Sequence, residues 1–208
     1  MSEGLHAWLY QLAAMGWAHS EAKCAAHGLH YCNAEDFVLD RGVDFVSGEL
    51  DVFELATLHE VMDLCGQRFK KKECYYNAQS LVLATRGNRK DLRDVRYFEG
   101  IAKGKAVIPV HHGWATINNK VIDLTWTIPE ARRRGRMRNR VVGVIPDDWH
   151  YRGVEFTYEQ IRDHWLLHGI SSSMILNDLE EYPALKMERI NPKPKDERMK
   201  ELLCASNE

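Results

Sequence analysis

The chain has 208 residues, 45% of them hydrophobic and 28% charged, with a formal net charge of −2; this composition excludes a disordered or fibrous chain, and the length fits one globular domain, or one domain with an appendage. No run approaches ~18 consecutive apolar residues, which excludes a membrane span, and the opening MSEGLHAWLYQLAAMGWAHSEA has Glu3 and no basic stretch, so it does not read as an export signal. The small net charge is a cancellation: residues 1–66 hold 2 Lys or Arg against 11 Asp or Glu, residues 67–152 hold 19 against 8, and residues 153–208 hold 7 against 11, so a basic middle lies between acidic ends.

In chain order, residues 5–18 carry apolar residues at near-helical spacing, with Leu5, Trp8, Leu9, Leu12 and Met15 on one face. Residues 19–48 are mixed and interrupted by Gly28, Gly42 and Gly48. Residues 49–65 read as an amphipathic helix with Phe53, Leu55, Leu58, Val61, Met62 and Cys65 apolar, ended by Gly66. A further helix is expected over 74–85, opening at Cys74 and stopping before Gly87. Residues 95–102 alternate like a strand, and the β-rich runs 107–117 and 120–126 flank Asn118-Asn119, which predicts a hairpin. A strand is expected over 141–145 and a short helix over 157–168, with Thr157 as its N-cap. Beyond residue 190 the prolines and charges predict a solvated tail. The order predicts an α+β fold in which a Cys-headed helix meets an antiparallel sheet. It divides into an acidic helical segment or cap (1–66), a core (67–190) and a tail (191–208).

The five cysteines, Cys24, Cys32, Cys65, Cys74 and Cys204, are odd in number and irregularly spaced. They make a poor disulfide framework, and reduced thiols in the cytoplasm are the expectation. Cys74 stands apart. It heads a predicted helix and follows Lys70-Lys71-Lys72; the positive end of a helix dipole and nearby cations both favour a thiolate. A nucleophilic Cys needs a base, and the base needs an orienting group. His111 and His112 lie on the first hairpin strand and Asp123 on the second. A turn at 118–119 puts residue 117 opposite 120, which carries Asp123 beside the 112–114 stretch.

The segments Cys-Tyr-Tyr-Asn-Ala (74–78), Tyr-Phe-Glu-Gly-Ile-Ala (97–102), Pro-Val-His-His-Gly-Trp (109–114), Val-Ile-Asp-Leu-Thr-Trp (121–126) and Tyr-Arg-Gly-Val-Glu-Phe (151–156) occur in that order. Over roughly residues 67–157 this resembles the papain-like, transglutaminase-like cysteine enzymes of bacteria and phages. The resemblance implies a papain-like core with Cys74 as nucleophile, His112 before Gly113-Trp114 as general base and acid, and Asp123 as orienter. Gly113 stands where the family more often has Ala, and Leu124 where Pro is common; neither touches the triad. The implied chemistry is acyl transfer on a protein, peptide or amide substrate, by hydrolysis, deamidation or transamidation, with no cofactor. The backbone N–H of Cys74 would donate to the oxyanion, with Gln67 or Asn77 as a second donor. Trp114 and Trp126 would wall the pocket.

Residues 132–140 hold six arginines, Arg132, Arg133, Arg134, Arg136, Arg138 and Arg140. They read as a loop for a polyanion, nucleic acid or an acidic partner. Hence the alternative function, a binding module of the same fold with an unused triad. No aromatic interleaves the run, which argues against base stacking. Cys24, His27, His30 and Cys32 are metal-competent, but four ligands within nine residues fit a structural zinc poorly, and no metal is assigned. Lys70–Lys72 and the Arg run lie in the same basic block, on which the acidic N-terminal segment could dock.

Overall fold

A computed structural model describes residues 3–66, 69–88, 95–104, 108–127, 140–168, 171–176, 184–190 and 197. The elements run α1 (Glu3–Ala26), α2 (Ala34–Arg41), β1 (Val43–Asp44), α3 (Val52–Leu64), α4 (Cys74–Asn88), β2 (Val95–Lys103), β3 (Val110–Ile117), β4 (Lys120–Asp123), β5 (Val141–Val142), β6 (His150–Phe156) and α5 (Tyr158–His168). Among the described residues these make an α+β architecture with one six-stranded antiparallel sheet, order β1-β6-β2-β3-β4-β5.

The β3–β4 hairpin turns on Asn118 and Asn119, both with positive φ (49° and 64°). That is the backbone a tight two-residue hairpin needs, and Asn tolerates it better than most residues. Ile117 pairs with Lys120, Thr116 with Val121 and Ala115 with Ile122, as the turn predicts. Side chains then alternate across the sheet. One face carries Tyr97, Ile101, Ala115, Ile122, Val154 and Phe156 into the main core, against α4 and the other helices. The other carries Phe98, Trp114, Val121, Val141 and Tyr151 into a smaller cluster, closed by Phe45, Ile145 and Trp149.

Several boundaries differ from the sequence expectation. Helix α1 runs on to Ala26, and α2 occupies a stretch the sequence left unassigned, capped by the Asn33 side chain on the Asp36 N–H. Helix α3 starts at Val52 because Asp51 and Glu54 form a reciprocal capping box, worth about 1 kcal/mol. Met15 and Phe53 are not on the buried faces; they are 58% and 81% exposed. Helix α4 continues through Gly87 to Asn88. Strand β4 ends at Asp123 rather than 126, because the Asp123 carboxylate accepts the N–H groups of Thr125 and Trp126 and turns the chain. Strand β5 stops at Val142, where Gly143 takes φ 75°. Thr157 caps α5 as expected, accepting from the Gln160 N–H.

Strand β6, like α2 and β1, is an element the sequence did not assign. It pairs with both β1 and β2. Its Gly153 breaks the hydrophobic alternation, yet a Cβ there would meet Trp114 at 2.5 Å. The glycine leaves room for the indole ring.

Residues 3–66 are largely helical and acidic, but they are not a detachable cap. Leu5, Leu9, Phe37, Val38, Leu58 and Val61 belong to the same core cluster as the sheet, and β1 is its edge strand. The charge asymmetry is used in ion pairs across the molecule: Glu35 with His111, Asp44 with Arg152, and Glu54 with Lys120 (2.9, 2.8 and 2.7 Å). Among residues 191–208 only 197 is described, so the expected tail lies essentially outside the described residues.

Candidate active site

Cys74 is the first residue of α4 and half-buried. Lys72, with φ 66°, makes the sharp entry to the helix, and the Asn77 N–H closes the first turn on the Glu73 carbonyl at 2.9 Å. The N–H groups of a first helical turn lack partners within the helix, so the positive end of α4 lies at the thiol.

His112 and Asp123 meet because of the hairpin register. Continuing the ladder places Asp123 opposite Trp114, and His112 is the diagonal neighbour on the same face. His112 Nε2 lies 2.7 Å from Asp123 Oδ2. The same oxygen accepts from the Tyr151 hydroxyl at 2.9 Å, while Oδ1 accepts from the N–H groups of Thr125 (2.9 Å) and Trp126 (3.3 Å). Burial pushes the Asp123 carboxyl up, but the His112 charge and these hydrogen bonds outweigh it and hold it below its ordinary value. Burial likewise pulls His112 down, and the Asp123 charge and hydrogen bond, then the Cys74 thiol, overcome it and raise the imidazole to about 10. With Nε2 committed to Asp123, Nδ1 is the ring nitrogen left for the thiol.

Strand β4 pairs with β3 only over Ala115–Ile117, so Val110–Trp114 is without a β4 partner. The start of α4 sits beside this stretch, tied by the Asn77 amide to Thr125 Oγ1 at 2.8 Å. The result is a cavity of about 340 Å³ whose lining includes Cys74, His112, His111, Lys71, Lys72 and Trp126. The Trp126 ring stacks on His112, centroids 4.7 Å apart, and screens the imidazole from solvent.

Cys74, His112 and Asp123 therefore converge, as does Trp126 from the expected wall. Others do not. Asn77 has no hydrogen left for an oxyanion: its two amide hydrogens go to the Lys70 carbonyl (2.7 Å) and Thr125 Oγ1, and its oxygen accepts from the Lys70 N–H. It staples the loop before α4 instead. Trp114 does not face the cavity; it is fully buried beneath His112 and stacked with Phe98. Gln67 and Arg132, Arg133, Arg134, Arg136 and Arg138 lie outside the described residues. Arg140 is described, half-buried, and feels the Asp123 charge. Cys24 is buried while His27 and His30 are exposed, and no group among the described residues is arranged to hold a metal ion.

Three participants were given no role by the sequence, although Glu99 and Tyr151 lie in the segments that carry the resemblance. Tyr151 comes from β6. Glu35 comes from α2 to hold His111 at 2.9 Å. Glu99, directly opposite Gly113, anchors the back of the site. Gly113 itself has a local reason: a Cβ there would meet the Tyr75 ring at 2.9 Å and the Tyr97 hydroxyl at 3.0 Å. The Tyr at the second position of α4 packs where an alanine methyl would project. No family model, curated protein or solved structure matches the chain.

Proposed function

We propose that the protein is a cysteine-dependent acyl-transfer enzyme with a papain-like, transglutaminase-like core, acting on an amide or peptide carbonyl through Cys74, His112 and Asp123. The observation that carries this reading is that His112, paired with the buried Asp123 behind it, lines one cavity with a helix-heading cysteine. A buried charge pair is costly unless it is fully hydrogen-bonded, and Asp123 accepts four hydrogen bonds to be one.

In the proposed reaction the Cys74 sulfur attacks the carbonyl carbon while the His112 imidazolium balances the thiolate charge. The tetrahedral oxyanion is met by the Cys74 N–H and the positive end of α4. Collapse breaks the C–N bond, and the His112 Nδ1 proton goes to the leaving nitrogen. The thioester is then opened by water or an amine, which gives its proton back to His112. Hydrolysis, deamidation and transamidation share these steps and differ in the acceptor.

The test is alkylation with iodoacetamide at pH 6, with each modified cysteine mapped. Burial raises Cys32 to about 12, helped by the neighbouring Cys24, and raises Cys65 to about 11, so both remain protonated there. Cys74 is expected to react first, at least tenfold ahead, and to lose that lead in His112→Ala. Equal labelling of Cys74 and Cys32 overturns the reading.

A further inference from the structure

The lining of the Cys74 cavity is one-signed. Lys71 and Lys72 are exposed on its rim and His111 lies in its wall, whereas among the described residues no Asp or Glu lines it. The neighbouring carboxylates are engaged elsewhere: Glu73 reaches Lys70 at 3.2 Å, and Glu35 holds His111 at 2.9 Å. Asp123 is covered by its four donors and is charge-balanced by His112. Lys71 and Lys72 form no ion pair with a described residue. Lys72 also occupies a left-handed backbone position (φ 66°) that Gly or Asn would fill at lower cost. Two fixed cations, two and three residues from the nucleophile, thus face the space a substrate must enter.

We propose that the acyl donor is anionic: an acidic peptide segment whose carboxylate sits beside the scissile carbonyl and is held by Lys71 and Lys72. This rests on Cys74 being the nucleophile. A nucleic acid fits the same charge less well. It offers no amide for the thiol, and the indole of the described lining, Trp126, already gives one face to His112, so a base has no row of free aromatic faces to stack on among the described residues.

The charge preference can be read without knowing the substrate. Iodoacetate and iodoacetamide attack the same thiolate, so their rate ratio at Cys74 cancels the thiolate fraction and reports the local field. On the full-length protein, with adducts quantified by mass spectrometry, the ratio is expected about tenfold above that of glutathione, or about 1.4 kcal/mol. The double variant Lys71→Gln/Lys72→Asn, whose Asn keeps the left-handed turn, should lower it about fivefold; 0.5 M NaCl should lower it in the wild type. A Glu-rich peptide should protect Cys74 from iodoacetamide, and a Gln-rich peptide of equal length should not.

A ratio equal to that of glutathione, or one the double variant leaves unmoved, overturns the proposal even if Cys74 remains the fastest cysteine. Protection by an oligonucleotide but not by the Glu-rich peptide also overturns it. If Cys74 is no faster than Cys32 toward iodoacetamide, the nucleophile reading falls first and the proposal with it.

Discussion

Asp123 and Glu99 are both 1% exposed, on opposite faces of one sheet. Each accepts four hydrogen bonds. Asp123 takes them from His112, Tyr151 and the N–H groups of Thr125 and Trp126. Glu99 takes them from the hydroxyls of Ser173 and Tyr97 and the N–H groups of Met174 and Ile175. Burial pushes both carboxyls up, yet Asp123 ends below its ordinary value and Glu99 above it. The number of hydrogen bonds is therefore not what separates them. The difference is a counter-charge: Asp123 faces an imidazolium, and Glu99 faces only neutral donors. The Asp123 carboxylate is held beside an imidazole that lines the Cys74 cavity. The other ties residues 173–175 to β2, behind Tyr75 and the first turn of α4.

The largest expected effect comes from removing the counter-charge. Asp123→Ala leaves His112 buried and unpaired and should cost about 3–5 kcal/mol in urea unfolding, together with the alkylation lead of Cys74. A loss under 1 kcal/mol would mean that the pair is not charged in the fold.

The pH dependence separates the two carboxylates by sign. Asp123 is lowered in the fold, so its stabilisation is present above about pH 3.8 and is lost as pH falls through the lower folded value. Glu99 is raised. The folded state holds its proton longer than the unfolded chain does, so its contribution is greatest below the unfolded value and declines as pH rises above it. The deficit of Glu99→Gln, on the order of 1–3 kcal/mol at pH 4, should therefore shrink toward pH 7, whereas that of Asp123→Asn should grow on leaving acid. Deficits that move together would break the comparison. His112 adds a second limb. Raised to about 10, it stabilises fully below about pH 6.5 and loses that contribution as pH approaches 10, and Asp123→Asn should abolish this alkaline decline.

Below the loss from Asp123→Ala, Tyr151→Phe removes a donor to a charged acceptor and should cost about 1.5–3 kcal/mol. Tyr97→Phe removes the corresponding donor to Glu99 and should cost about 0.5–1.5 kcal/mol. Equal losses would indicate that the His112 counter-charge does not distinguish the two carboxyls.

The site residues that could be named in advance are those with local signals. Cys74 follows a lysine run and heads a helix; Asn118-Asn119 sets a register that brings Asp123 to His112. The participants without such signals are joined over long separations. Glu99 meets a segment some 75 residues on, and Glu35 meets His111 across 76. Tyr151 depends on β6 lying between β1 and β2, an order that no turn residue encodes. Asn77 misleads for the same reason. Its position in the motif is suggestive, but its hydrogens are taken by partners that only the folded chain brings near.

What the amino-acid sequence determined by itself is the set of backbone-driven choices: the caps, the left-handed asparagines, the helix headed by Cys74, and the split of charge between segments. These depend on neighbours a few residues apart. The tertiary structure alone decided which buried carboxyl is lowered and which is raised, which lysines face the thiol, and that the acidic N-terminal helices are part of the core. Those outcomes depend on the dielectric and the counter-charges around a group, and both come from chain segments distant in sequence.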